Sequence, residues 1–204
     1  MSIAFTKLHG NGNDFVLIDE MKGVVIPDEM KPDFAEAYCD RKFGIGADGI
    51  LFISPSSEEK AAVKMRLFQP DGSEAEMCGN GIRCLAKYAA DNEYAKTKKF
   101  YVETKAGVLS VRGEYDNDGD YMASIEMGEP VYQDSAEIAG MKVYSANTGV
   151  PHAVVFVEDV DAIDISRVAP EIRHNKIYPE GTNVNFVEVT GEDEITIRTF
   201  ERGV

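Results

Sequence analysis

Hydrophobic positions along the chain fall mostly into short β-branched and aromatic runs, bounded by Gly, Asp and Asn. The pattern predicts strands over 3–8, 15–19, 50–54, 63–68, 100–104, 108–114, 121–127, 142–146, 154–157, 185–189 and 195–200. Two stretches have helical spacing instead. One covers 33–42. The other runs from Gly79 to Asn92 and sets Ile82, Leu85, Ala86, Ala89 and Ala90 at i, i+3, i+4, i+7 and i+8, a single apolar stripe.

The pattern also repeats weakly. Gly12–Leu17 is similar to Gly149–Val155, and Gly46-Ala47-Asp48 before one strand is similar to Gly181-Thr182-Asn183 before another. Val63–Phe68 matches Ile195–Phe200 with Arg and Phe in register. One such match arises by chance in any β-rich chain, but three in the same order favour a duplicated domain. In the first copy, the strand ending at Phe68 leads to Cys78-Gly79-Asn80-Gly81 and a helix. In the second, the strand ending at Phe200 leads to Glu201-Arg202-Gly203-Val204. The repeat therefore predicts a second cysteine-glycine turn just past residue 204.

Composition narrows the partners. The chain has 204 residues, 44% hydrophobic and 28% charged, enough for one large domain or two small ones. Asp+Glu 36 against Lys+Arg 21 gives a net charge of -15, spread along the chain, which disfavours nucleic acid and anionic membrane as partners. No apolar run approaches the ~20 residues of a membrane span, and the N-terminus shows no secretory signal. Cys39, Cys78 and Cys84 are an odd count without a disulfide framework, which fits a reducing cytoplasm.

Cys78 carries the candidate chemistry. It stands where coil ends and the amphipathic pattern begins, and the following glycines let the backbone turn its amides toward a pocket. Amides at a helix N-terminus favour a thiolate and bind carboxylates. A buried structural thiol is the commoner fate of a cysteine, and it is the reading taken for Cys39 and Cys84. The Gly-Asn-Gly after Cys78 points to proton chemistry beside an acid group. Cys78 and Cys84 lack the close spacing of structural zinc, so no metal is expected. Gly44-Ile45-Gly46-Ala47-Asp48-Gly49 satisfies the dinucleotide fingerprint in letters, but a helix precedes it and a strand follows, the reverse of what that motif needs.

Several blocks occur together in one order: KLHGNGNDFVLID from Lys7, FGIGADGILFI from Phe43, PDGSEAEMCGNGIRC from Pro70, NTGVPHAVVFV from Asn147, GTNVNFV from Gly181 and FERG from Phe200. In these the chain resembles the diaminopimelate epimerase family over nearly its whole length. The resemblance implies interconversion of LL- and meso-2,6-diaminopimelate by two opposed thiols, without cofactor or metal, in lysine and cell-wall precursor synthesis. It implies a pseudo-symmetric α+β fold of two domains, each a mixed sheet wrapped around a central helix, and a possible homodimer. The domains would be residues 1–125, carrying the first catalytic cysteine, and 126–204, ending before the second.

By the same resemblance Cys78 is catalytic. Asn13, Gln69, Gly79, Asn80, Asn183, Glu201 and Arg202 bind substrate, and His152 and Glu201 tune the thiols. Gln69 replaces a more usual asparagine, and Val150 stands where many members carry one. With one catalytic thiol the 204-residue chain is expected to be inactive. A proline racemase-type isomerase of the same fold and a non-catalytic carboxylate-binding fragment are the alternatives.

Overall fold

In the computed structural model, which describes residues 2–201, Asn11-Gly12 forms the first tight turn. Both residues have positive φ (53° and 86°), as the two central positions of a type I′ hairpin require. The turn joins β1 (Thr6–Gly10) to β2 (Asn13–Asp19), with Gly10 opposite Asn13. Strand β1 thus begins at Thr6 and not at residue 3, and β2 begins two residues before Phe15. The Asn-Gly pair extends the ladder to the turn itself.

The chain divides into two compact units, Met1–Met127 and Gly128–Val204. In the first, β2 pairs parallel with β3 (Gly49–Ser54), which pairs antiparallel with β4 (Val63–Phe68). The short β5 (Glu74–Ala75) lies beside β4, and the sheet continues through β6 (Lys99–Thr104), β7 (Gly107–Tyr115) and β8 (Tyr121–Ile125). Between β2 and β3 runs α1 (Lys31–Cys39), and between β5 and β6 runs α2 (Gly79–Asp91).

Both faces of this sheet are buried. Phe15, Leu17, Leu51, Ile53, Met65 and Leu67 pack on Ile82, Leu85, Ala86 and Ala89 of α2. Val16, Ile18, Ile50, Phe52 and Phe68 pack on Ala35 and Cys39 of α1. That two-sided burial is why β2 and β3 read as continuous apolar runs and not as alternation. Helix α1 stops at Cys39, short of the expected residue 42. The carboxylate of Asp40 accepts the amides of Lys42 and Phe43, both at 2.7 Å, and this local turn competes with another helical turn.

The second unit is a five-stranded sheet in the order β13-β12-β11-β10-β9. Its strands are β9 (Val131–Ile138), β10 (Met141–Asn147), β11 (Pro151–Phe156), β12 (Asn183–Gly191) and β13 (Glu194–Phe200). Helix α3 (Ile165–Arg173) crosses between the parallel strands β11 and β12, as α1 crosses between β2 and β3. The cross-strand register makes the repeat explicit. Val16–Ile50–Phe68 in the first unit corresponds to Ala153–Val184–Phe200 in the second, and Phe52 opposite Arg66 corresponds to Phe186 opposite Arg198. The middle block is offset by one residue from the alignment read in the sequence, so Asn183 matches Gly49 and not Asp48.

The pseudo-symmetric α+β architecture is therefore present, with one difference between the halves. Val184, Phe186, Ala153 and Val155 pack on Val168, Ala169 and Ile172 of α3. The opposite face, covered by α2 in the first unit, shows Val189, Ile195 and Ile197 at 63%, 54% and 49% exposure. Among the described residues no helix is long and apolar enough to cross a membrane.

Candidate active site

Cys78 is the N-cap of α2. Its backbone is extended (φ -145°, ψ 117°) and its sulfur accepts the amide of Gly81 at 3.4 Å. A Cβ at Gly81 would stand 3.3 Å from Leu51 and 3.4 Å from the Cys78 Cβ, so glycine lets this first turn sit against β3. Gly10 plays the matching part on the hairpin: a Cβ there would lie 3.3 Å from the Asn80 carbonyl and 3.5 Å from Cys84 Sγ. Tight packing of hairpin on helix brings the two signature blocks together.

Asn13, the first residue of β2, reaches Cys78: its Oδ1 lies 3.7 Å from Sγ. The other end of the same amide donates to Asp48 Oδ2 at 2.8 Å, which fixes which atom faces the sulfur. Asp48 also accepts the Asp14 amide at 3.0 Å and Arg41 at 2.7 Å. Arg41 in turn donates to Asp14 at 2.8 Å, and Lys7 pairs with Asp14 at 2.6 Å. The Arg41 guanidinium, with Lys7 beside it, holds the Asp14 carboxyl well below the usual carboxylate range. Lys7, Asp14 and Arg41 line an open hollow of about 480 Å³ with Leu8, His9 and Gly12.

The remaining expected residues are distributed as follows. Gly79 and Asn80 open α2, and Asn80 Oδ1 accepts from Asn11 and Arg83, each at 3.2 Å. Gln69 follows β4 in a tight turn, where Ser73 donates to its Oε1 at 3.1 Å. In the second unit, Asn183 begins β12 and stands opposite His152 in the parallel register. Burial lowers the His152 pKa against the opposing charge of Glu201. Glu201 is exposed, and its backbone carbonyl accepts Arg173 at 2.6 Å. Arg202 lies outside the described residues.

The other two thiols are placed differently. Cys39 and Cys84 are 3% and 4% exposed, and burial pushes both up to about 11. No disulfide joins the three cysteines. Among the described residues no cluster of His, Cys, Asp and Glu is arranged to hold a metal. The linear pattern does not single out Asp48 and Asn185, which hydrogen-bond the expected site residues Asn13 and His152, nor Arg41, which braces Asp48. Asp48 sits in the quoted FGIGADG block, but nothing in the linear pattern says that it meets Asn13.

A likeness to solved structures defines the class of fold. A hydroxyproline epimerase from Agrobacterium vitis superposes with a TM-score of 0.67 at 17% identity, over 96% of this chain and 69% of that one. A probable proline racemase from Agrobacterium radiobacter K84 gives 0.65 at 15% identity, over 97% and 70%. The fold is thus one that racemases and epimerases use.

Sequence narrows it further. The diaminopimelate epimerase family profile matches residues 5–133 and 144–204, and the chain belongs to that family. The diaminopimelate epimerase of Methanothrix thermoacetophila is 50% identical over 214 residues, covering 99% of this chain and 74% of the relative. That of Archaeoglobus fulgidus is 50% identical over 218 residues, covering 100% and 75%.

Proposed function

We propose that this chain supplies one half of the proton-transfer pair of an amino-acid epimerase acting on 2,6-diaminopimelate, with Cys78 moving the α-proton on one face of the substrate carbon. The observation that carries the reading is the setting of the Cys78 sulfur. The Gly81 amide donates to it and the Asn13 amide oxygen lies within reach of its S–H, so thiolate and thiol each have a partner. Inverting an α-carbon takes a proton from one face and returns one to the other. Two opposed thiols do this symmetrically, because each can act as acid or base. Cys39 and Cys84 are poor choices for the second group, since burial holds both in the thiol form.

Without an electron sink, the carbanion depends on donors aimed at the substrate carboxylate. We assign that task to the amides of Gly79 and Asn80 at the start of α2. Asn13 and Gln69 are proposed as further ligands from the first unit, and Asn183, Glu201 and Arg202 from the second. His152 and Glu201 tune the acidity of the reacting groups. A reducing cytoplasm and a homodimer are the accompanying expectations.

The test is site-resolved alkylation by iodoacetamide near neutral pH. Cys78 should react fastest of the three thiols, and meso-diaminopimelate should slow it at least several-fold while proline and lysine do not. Slow modification of Cys78 indifferent to diaminopimelate would overturn the assignment. Protection by proline instead would favour the proline racemase-type alternative.

A further inference from the structure

His152 lies on β11 beside β12, and its ring meets the side chain of Asn185. The Asn185 amide is held by two neighbours. Its Nδ2 donates to the Ala153 carbonyl at 3.3 Å, and its Oδ1 accepts the Thr199 hydroxyl at 3.1 Å. A backbone carbonyl can only accept, so the NH₂ end must face it. That same NH₂ end stands 3.2 Å from His152 Nδ1. A donor facing Nδ1 requires that Nδ1 be the bare, accepting nitrogen.

We propose that Asn185 is a positioning residue that locks the neutral His152 ring in the tautomer with its proton on Nε2. The inference rests on the proposed role of His152 and specifies what that role can be. With the proton on Nε2, His152 offers a hydrogen bond to an anionic partner such as a thiolate or carboxylate. It does not accept a proton at that atom while the Asn185 bond holds. His152 therefore acts by donation and not as a general base through Nε2. Burial of the ring favours its uncharged form, so the tautomer and not the imidazolium is the state to be set. Thr199 belongs to the same device, because its hydroxyl holds the far end of the amide in place while the Ala153 carbonyl decides which end is which. In the repeat, the position matching Asn185 is Leu51, a core residue on the α2-covered face, so the polar pair is peculiar to the second unit.

Long-range ¹H–¹⁵N correlation of the imidazole rings of the labelled full chain tests this without any need for turnover. His9 and His174 serve as references. At about pH 8, where an ordinary His is neutral, His152 should carry its proton on Nε2. Asn185→Asp places an acceptor against Nδ1. It should move the proton there and raise the His152 titration midpoint by about one pH unit or more. A wild-type ring protonated at Nδ1, or averaged between tautomers, would overturn the proposal, as would an Asn185→Asp ring unchanged from wild type. If that variant does not fold, the wild-type tautomer alone decides. Failure of the diaminopimelate protection experiment would leave this result standing, and the reverse also holds.

Discussion

At the scale of single residues, buried polar groups in the first unit act as fasteners. Glu103 is 9% exposed, and its carboxylate accepts Ser56 Oγ at 2.6 Å, the Ser57 amide at 2.8 Å and Lys64 at 2.8 Å. One side chain of β6 thus ties down the loop that follows β3. Burial pushes its pKa up, but Lys64 and the serine donors outweigh that and bring it to about 2. The folded value is below the unfolded value of about 4.3. The stabilisation is therefore complete above the unfolded pKa and is lost as pH falls from there toward about 2. Glu103→Gln should lower the urea midpoint at about pH 6 and cost progressively less by about pH 3. Equal destabilisation at both pH values would mean that the carboxylate charge has no part in it.

At the scale of elements, α2 is the pivot of the first unit, and its apolar stripe is plain in the sequence. Ile82, Leu85, Ala86 and Ala89 are all fully buried. Leu85→Ala should cost about 2–5 kcal/mol by leaving a cavity between helix and sheet. Lys87→Ala, on the half-buried outer side of the same helix, loses surface contacts with Asp91 and Tyr115 and should cost about 1 kcal/mol or less. Thermal or urea denaturation of the two variants measures the contrast, and comparable losses would mean that α2 does not carry the core.

What was legible follows from the same physics. Strands β3, β4 and β13 were readable because their β-branched and aromatic runs are bounded by turn residues. Helix α3 was not, because Pro170 sits inside it and reads as a breaker. It forms nonetheless, capped by the Asp164 side chain accepting the Arg167 amide at 3.2 Å and anchored by Val168, Ala169 and Ile172. Strand β9 escaped because it is a largely exposed edge with no alternation to detect. In the site, Cys78 was visible from the glycines after it, which mark a special backbone. The partners of Asn13 and His152 were not, since a hydrogen bond between residues 33 or 35 positions apart leaves no local pattern.

At the scale of the molecule, two opposing features set solution behaviour. A net charge of -15 drives copies apart. Against it stands the sheet face of the second unit bearing Val189, Ile195 and Ile197, each near or above half exposed. Ile195 pairs with Val189 in the ladder and Ile197 with Val187, so the three exposed side chains adjoin on that face. At about 0.15 M salt the Debye length is roughly 8 Å, and general repulsion no longer dominates over apolar contact. Self-association should therefore increase with ammonium sulfate, which both screens charge and strengthens apolar burial. Ile197→Lys should suppress it, while Asn117→Lys, an equal charge change on an exposed turn of the first unit, should not. Sedimentation velocity across a salt series distinguishes the two. Equal effects of both lysines would assign the association to net charge, whereas an effect of Ile197→Lys alone assigns it to the uncovered sheet face.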